Sequence, residues 1–154
     1  MAPCIRESDV TASPSTVWQT CIADLKWEKW DEDVERLEDI KGGLNKGSTL
    51  TFVLKGGGQQ LSKFPCKLTS VKENEVVAYS GSVLYGLIRV WGRIEISQKS
   101  DATSHIKYIF EMNGILGSAI NWYKPDPVIH GTETGLANMV RLSEKAERDC
   151  SSSS

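Results

Sequence analysis

Apolar and polar residues alternate through the middle of the chain, from about residue 34 onward. Leu50, Phe52 and Leu54 alternate with Thr49 and Thr51, and the same period of two returns in four later segments before residue 113. Such a period places alternate side chains on one face of a β-strand. Turn-forming residues separate the segments, as in KEN and QKSDATS. The pattern predicts antiparallel strands joined by hairpins, each with one apolar face.

Helical patterns flank this region on both sides. The first ten residues predict an edge strand, and SPST after them is typical of a helix start, with Ser13 as the N-cap and Pro14 at the first helical position. A long helix is predicted from about residue 127 to about Arg148. Its apolar face is formed by Val128, Thr132, Leu136, Met139, Ser143 and Ala146. We therefore predict one domain over residues 1–149 and a disordered tail over residues 150–154.

The segment DLKWEKWDEDVERLEDI places two tryptophans among many charged residues. Trp27 and Trp30 are three residues apart, so a second short helix would present both on one face, with the charged side chains on the others. Burial of this face would explain why such large apolar groups occur in so polar a segment.

Composition restricts the class of protein. The chain has 154 residues, of which 25% are charged, and a formal net charge of -2, which is typical of one globular domain. No basic excess favours nucleic acid as a partner, and no stretch approaches the roughly eighteen apolar residues of a membrane span. MAPCIRESDV does not have the pattern of a signal peptide. We expect a cytoplasmic protein, monomeric or homodimeric.

The residues that commonly bind metals are sparse. Four cysteines and two histidines are spread along the chain without a CxxC spacing. Gly56–Gly58 are not followed by the GK[ST] of a phosphate-binding loop and are predicted to form a hairpin tip. The sequence therefore predicts free thiols, no metal site and no organic cofactor.

Four segments spread over nearly the whole chain have counterparts in a known family. They are ASPSTVWQTCIADLKWEKWDEDV, GGLNKGSTLTF, VVAYSGSVLYGLIRVWGRIEIS and KYIFEMNGILG. In sequence and order they resemble the START-like superfamily, also called polyketide cyclase/dehydrase or SRPBCC proteins. The resemblance implies an α+β helix-grip fold. In this fold a curved seven-stranded antiparallel sheet surrounds a long C-terminal helix, and two short helices follow the first strand.

The resemblance further implies a cavity between sheet and helix that binds a hydrophobic small molecule. Trp30 would look into this cavity or cap its end. The other residues expected to contact the ligand are Phe52, Leu54, Phe64, Cys66, Gly81, Val90, Phe110, Met112, Trp122, Leu136 and Met139. The alternation by itself leaves open a filled core, because the same apolar faces would then pack together without a cavity.

Few polar residues are candidates for catalysis. Tyr79 and Tyr108 fall on apolar strand faces, where a phenol can bind a ligand carbonyl or assist an enolate, or can simply bond to backbone or solvent. Asn113 and Tyr123 belong to the connection before the long helix, which is expected to form the cavity mouth. His130 and Glu133 could act as a base and its orienting carboxylate, although the helical pattern places His130 opposite the apolar face.

The family's acid–base residues are not present here. Relatives often carry a histidine and an acid on the last strands, where this chain has Gly92 and Phe110. The resemblance therefore leaves two functions open. One is a cofactor-free enzyme that cyclises, dehydrates or isomerises a polyketide- or terpenoid-like intermediate, and the other is a carrier or sensor of a lipid, sterol or aromatic metabolite. A protein–protein interaction module is a third alternative.

Overall fold

The computed structural model describes residues 3–55, 63–123 and 126–152. Its strands are β1 (Cys4–Val10), β2 (Val34–Lys41), β3 (Thr49–Leu54), β4 (Lys63–Lys72), β5 (Val76–Val83), β6 (Ile88–Ser100) and β7 (Thr103–Asn113). Its α-helices are α1 (Pro14–Val17), α2 (Ile115–Tyr123) and α3 (Asp126–Ser152). A π-helical turn over Trp18–Ile22 continues α1, and a 3-10 turn covers Trp27–Lys29.

The seven strands form one antiparallel sheet. Its order is β1-β7-β6-β5-β4-β3-β2, so β1 joins the far end of a meander that runs from β2 to β7. Side chains directly opposite one another in adjacent strands share a face. One such row joins Leu68, Tyr79, Gly92 and Phe110, and the next joins Cys66, Gly81, Val90 and Met112. All eight positions belong to the apolar strand faces that the two-residue period predicted.

The segment between β1 and β2 covers one end of the concave face. Ser13 caps α1, because its hydroxyl accepts a hydrogen bond from the Thr16 N–H at 3.2 Å. Further along, the Trp27 indole donates to the Ile22 carbonyl at 3.1 Å, and the Trp30 indole donates to the Cys21 carbonyl at 2.9 Å. Both indoles are buried, so each N–H needs such a partner. The two tryptophans therefore attach this segment to the core, as their spacing suggested.

Helix α3 lies across the sheet and packs on β1, β7 and the π-helical turn. Its buried residues are Thr132, Gly135, Leu136, Met139 and Ser143, which are one face of the helix. Two carboxylates join it to the chain after β1: Glu144 accepts from the Thr11 N–H at 2.9 Å, and Glu147 accepts from the Ser13 N–H at 3.1 Å. The predicted helix-grip architecture, with seven strands, two short helical segments and one long helix, is confirmed.

Two local details differ from or add to the prediction. No element was predicted for the connection after β7, which forms helix α2. Helix α3 continues through Ser152, three residues into the segment 150–154 that was predicted as a disordered tail; residues 153 and 154 lie outside the described part of the chain. The hairpin tip predicted at Gly56–Gly58 also lies outside it. Of the helices described, none is both long and apolar enough to cross a membrane.

Candidate functional site

A cavity of about 300 Å³ lies between the concave face of the sheet and the first turns of α3. Its apolar walls come from β3, β4, β6 and β7, and its floor includes two phenols from β5 and β7. The lining residues are Asp31, Asp33, Val34, Phe52, Leu54, Lys55, Phe64, Cys66, Tyr79, Val90, Tyr108, Phe110, Met112, Pro127, Val128, Gly131 and Thr132. Because apolar atoms dominate this lining, the cavity suits a largely apolar molecule.

An aromatic cluster forms the closed end. The ring centroids of Phe52 and Tyr79 are 4.9 Å apart, and Trp27 lies 5.7 Å from Phe52 and 5.8 Å from Tyr79. Behind them Trp30 packs edge-on against Tyr108, at 5.9 Å and 89°. Tilted and edge-on ring pairs at these distances are favourable. The cluster holds both tyrosine rings in fixed positions.

Two small residues make room for the phenols. Any side chain at Gly92 would collide with the Tyr79 ring, which lies directly over that glycine. A Cβ at Gly135 of α3 would lie 3.5 Å from the Tyr108 ring, so Tyr108 packs closely against the helix backbone. Because Gly92 lacks a side chain, this space is left to the ring of Tyr79.

Both phenols are neutral and act as hydrogen-bonding groups. Each side chain is 4% exposed, and burial raises the pKa of both well above the ordinary value for tyrosine. The two hydroxyls are close enough to influence each other, and the neighbouring Tyr79 raises the pKa of Tyr108 further. A phenol in this state can donate to a ligand oxygen but cannot act as a base near pH 7.

Asp31 is a carboxyl group in the cavity lining whose charge acts on both phenols. It follows Trp30 at the end of the 3-10 turn and is half-buried. Burial raises the pKa of Asp31 to about 6, with a further upward contribution from Asp33, while the Asp33 N–H and the Lys55 ammonium act in the opposite direction. The charge of Asp31 in turn raises the pKa of both phenols. A carboxyl group whose pKa is raised toward neutrality in a cavity is typical of functional sites.

The cavity opens beside Asp33, Lys55 and the start of α3. Asp33 and Lys55 are exposed, and the Lys55 N–H donates to the Asp33 carbonyl at 2.9 Å. Thr132 is buried there, but its hydroxyl donates to the Val128 carbonyl within the helix at 2.7 Å and is not available to a ligand as a donor. The mouth is therefore polar, whereas the walls deeper inside are apolar.

The structure brings many of the predicted site residues together in this cavity. The two tyrosines expected to take part in catalysis, Tyr79 and Tyr108, lie side by side in its lining. The predicted contacts that line it are Phe52, Leu54, Phe64, Cys66, Val90, Phe110 and Met112. Cys66 presents a neutral thiol, because burial raises its pKa to about 12.

Other predicted contacts lie behind the lining. Trp30 is 1% exposed and packs behind Tyr108, so it supports the cavity wall instead of capping the cavity. Leu136 and Met139 are buried in the core beneath the cavity. Gly81 belongs to the row of Cys66 and Val90, yet a Cβ there would collide with the Pro65 carbonyl and lie 2.6 Å from the Cys66 sulfur. A side chain at this position would therefore distort the sheet and could not simply narrow the cavity.

The residues expected at the mouth are not in the lining. Trp122 and Tyr123 are 80% and 76% exposed at the end of α2. Asn113 lies beside a separate surface depression near the β5–β6 turn. His130 is exposed, as the helical pattern indicated, and bonds weakly to Thr134; Glu133 pairs with Arg6 of β1 at 2.9 Å. The two are not arranged as a base with its orienting carboxylate, because neither contacts the other.

Sequence reasoning missed the polar end of the cavity. Asp31 stands in a run of acidic residues, a pattern that normally indicates a solvated surface. One signal was available: Asp31 directly follows a tryptophan that was expected at the cavity. Among the residues described, no group of three or more histidine, cysteine or acidic side chains could hold a metal ion.

Comparisons with known proteins extend the description of the fold. No protein-family model matches the chain, and no curated protein matches its sequence significantly. The chain is similar in structure to a hypothetical protein from Helicobacter pylori, with a TM-score of 0.74 and 14% identity over 90% of this chain and 86% of the other. It is also similar to norcoclaurine synthase from Thalictrum flavum in complex with dopamine and hydroxybenzaldehyde, with a TM-score of 0.65 and 18% identity over 96% and 86% of the two chains.

A third similar structure is BexL, a di-domain ARO/CYC protein of a biosynthetic pathway. The TM-score is 0.71 with 11% identity over 94% of this chain, which spans 47% of BexL. Identities this low establish the fold and not the activity. The architecture, the order of the strands and these similarities agree with the fold that the sequence resemblance implied: the chain has the helix-grip fold.

Proposed function

We propose that this protein binds a small, largely apolar metabolite in the cavity and promotes its cyclisation, dehydration or isomerisation without a cofactor. The substrate would be a polyketide- or terpenoid-like biosynthetic intermediate. The observation that carries the proposal is the combination of an apolar cavity with a polar end formed by Asp31, Tyr79 and Tyr108. A pocket with a few convergent polar groups and a perturbed pKa is the usual form of an active site.

The volume of the cavity restricts the ligand. At about 300 Å³ it is at the lower end of the range for ligand pockets, roughly 300–1,000 Å³. A fused bicyclic or similarly compact molecule suits this volume better than a sterol or a long-chain lipid. The flat rings of Phe52, Phe64 and Phe110 in the lining favour a planar or aromatic ligand.

Catalysis would come mainly from confinement and from a few oriented hydrogen bonds. The walls would hold a flexible intermediate in one folded conformation, which lowers the entropic part of the barrier. A neutral phenol that donates to a carbonyl oxygen would stabilise negative charge as it develops there. Similar structures include enzymes, namely norcoclaurine synthase and an ARO/CYC protein, and this analogy of fold supports an enzymatic role.

A carrier or sensor function is the alternative. The small number of ionisable groups favours a carrier or sensor. Among the described residues of the lining, only Asp31, Asp33 and Lys55 can carry charge beyond the two phenols and a neutral thiol. Both functions require the same cavity. They differ in one outcome: an enzyme converts its bound substrate faster than buffer does, whereas a carrier returns it unchanged.

The binding part of the proposal can be tested with 2-tetralone, a bicyclic ketone, as the probe. Val90 lines the cavity, so Val90→Phe should fill it and weaken binding at least ~10-fold in isothermal titration calorimetry, which corresponds to about 1.4 kcal/mol. The matched control is Ile5→Phe, which adds the same ring at an exposed position of β1. Equal affinity in Val90→Phe and the wild type would place the probe outside the cavity and contradict the proposal.

A further inference from the structure

We propose that Asp31 is the residue that transfers protons to and from the ligand, and that the ligand is a carbonyl compound with a C–H bond next to the carbonyl group. This inference rests on the proposed function, because it assigns a catalytic role within the same cavity. It goes further in naming the base, the partner of the ligand oxygen and the class of substrate.

The backbone of Asp31 is held in place on both sides. Its N–H donates to the Trp27 carbonyl at 2.9 Å, and its carbonyl accepts from the Val34 N–H at 3.2 Å. In the side chain, Oδ1 accepts from the Asp33 N–H at 3.0 Å. In residues 3–55, 63–123 and 126–152, no group donates to Oδ2, and no cation lies within 4.0 Å of the carboxylate. Asp31 therefore presents one free carboxylate oxygen from a fixed position in the cavity lining.

The two phenols provide a site for an oxygen atom of the ligand. Each tyrosine hydroxyl has one proton to donate. A hydrogen bond between the two hydroxyls uses at most one of these two protons. Both phenols line the cavity, and within the described residues no backbone carbonyl and no carboxylate accepts a hydrogen bond from either hydroxyl. A ligand carbonyl oxygen would supply the missing acceptor, next to the carboxylate of Asp31.

The proton transfer follows from these two contacts. Asp31 Oδ2 takes the proton from the carbon beside the carbonyl; the C–H bond breaks and its electron pair forms the enolate. The negative charge moves to the carbonyl oxygen, which accepts the hydrogen bond from Tyr79. Return of a proton from Asp31 to carbon restores the ketone. Since Asp31 is half-buried beside the cavity mouth, its proton can exchange with water between these two steps.

The ionisation of Asp31 suits this role. Burial raises its pKa to about 6, so the carboxylate form predominates near pH 7 while remaining more basic than an ordinary aspartate. The charged and titratable groups that face it are Asp33, Glu32 and Lys55, together with Tyr79 and Tyr108 across the cavity. Lys55 is the cation among them and lowers the pKa, whereas the two carboxylates raise it.

The test uses 2-tetralone in D2O, with exchange of the protons next to its carbonyl followed by proton NMR. The wild type should accelerate exchange by ~10²–10⁴-fold over buffer, and Asp31→Asn should lose most of this acceleration while it still binds the ketone. The rate should rise with pH through about 6 and then level off, following Asp31. Tyr79→Phe should slow exchange while the pH profile keeps its midpoint. Asp101→Asn is the matched control, because it makes the same change on the exposed β6–β7 turn.

Three results would overturn the inference, and they distinguish a failure of the role of Asp31 from a failure of the proposed function. Exchange at the wild-type rate in a folded Asp31→Asn protein would exclude Asp31 as the base. Binding of 2-tetralone by the wild type without exchange above buffer would remove the catalytic role and leave the binding function. Failure of the wild type to bind 2-tetralone at all would contradict both.

Discussion

At the scale of single residues, the space around the phenols is set by glycines. Gly92 of β6 lies directly beneath the ring of Tyr79, where any Cβ would collide with it. Gly135 of α3 leaves more room, because a Cβ there would lie 3.4 Å from Trp30 and 3.5 Å from Tyr108, an ordinary contact distance. The two positions should respond differently to the same substitution.

We expect Gly92→Ala to destabilise the protein by about 1–3 kcal/mol, because the Tyr79 ring must move within a packed aromatic cluster. Gly135→Ala is the comparison: the added methyl group fits, and alanine favours a helix by up to about 1 kcal/mol over glycine. Urea unfolding monitored by tryptophan fluorescence measures both variants. A Gly92→Ala protein as stable as the wild type would show that Tyr79 is not held against β6.

Asp31 also has a predicted effect on stability. Its pKa is raised to about 6 in the folded protein from an ordinary value of 3.8, so the folded state favours the protonated form. Ionisation of Asp31 therefore costs stability as the pH rises from about 4 to about 6, with an upper bound of about 3 kcal/mol above that range. Asn keeps an acceptor for the Asp33 N–H but cannot ionise.

Asp31→Asn should accordingly become more stable relative to the wild type as the pH increases from about 4.5 to about 7.5, with a difference of ~1–3 kcal/mol at the upper end. Urea unfolding across this range gives the difference, and Asp101→Asn should have no such pH dependence. A constant difference between Asp31→Asn and wild type at every pH would mean that the carboxyl group titrates normally.

At the scale of secondary structure, β1 depends on contacts made by its outward side chains. His105 of β7 contacts two carboxylates of β1: its Nδ1 lies 2.8 Å from Asp9 and its Nε2 lies 3.0 Å from Glu7. Both ring nitrogens can donate only in the protonated form. The two carboxylates raise the pKa of His105. His105 in turn lowers the pKa of Glu7, and the pKa of Asp9 is lowered by Lys99 and then by His105.

The pairing of His105 should stabilise β1 in a defined pH window. The pKa of His105 is higher in the folded protein than in the unfolded chain. Its contribution to the free energy of unfolding is therefore complete below the unfolded pKa of about 6.5 and is lost as the pH rises through the pKa of the folded protein. The advantage of the wild type over His105→Gln should therefore be larger near pH 5.5 than near pH 8.5, as measured by urea unfolding at about these two values. An advantage that grows toward pH 8.5 would contradict the pairing.

Local sequence patterns predicted most of the strands and helices, because their formation depends on residues that are close together in the sequence. A two-residue period and an apolar helix face follow from strand and helix geometry, and the exposure of His130 followed from the same geometry. The cavity's polar end could not be predicted in this way. Asp31 is half-buried because α3 and the sheet close over a segment that is acidic in sequence, and Trp30 and Tyr108 both pack against α3 beside Gly135.

At the scale of the whole molecule, the fold leaves a cavity between the sheet and α3 instead of filling this space with side chains. The apolar rows of β4 to β7 meet α3 through Leu136 and Met139 in the core, but the space beside Pro127, Val128 and Gly131 stays open. An apolar molecule in this space would add contacts that the unfolded chain lacks, so binding should stabilise the folded state.

With 2-tetralone at about 100 times its dissociation constant, the free energy of unfolding should increase by ~2.7 kcal/mol, or about 5–10 °C in melting temperature. Val90→Phe should lose this shift. Because its ring fills the cavity, its free energy of unfolding without ligand should be ~0.5–2 kcal/mol higher than that of the wild type. Differential scanning calorimetry measures both quantities. A ligand-induced shift that Val90→Phe retains in full would mean that stabilisation arises elsewhere.

The most direct test of the account is to locate a bound probe by intermolecular nuclear Overhauser effects between 2-tetralone and the labelled protein. We predict contacts from the probe to the side chains of Val90, Met112 and Phe64, which line the cavity. Contacts confined to the exposed side chains of Ile120, Trp122 and Tyr123 on α2 would contradict a binding site between the sheet and the C-terminal helix.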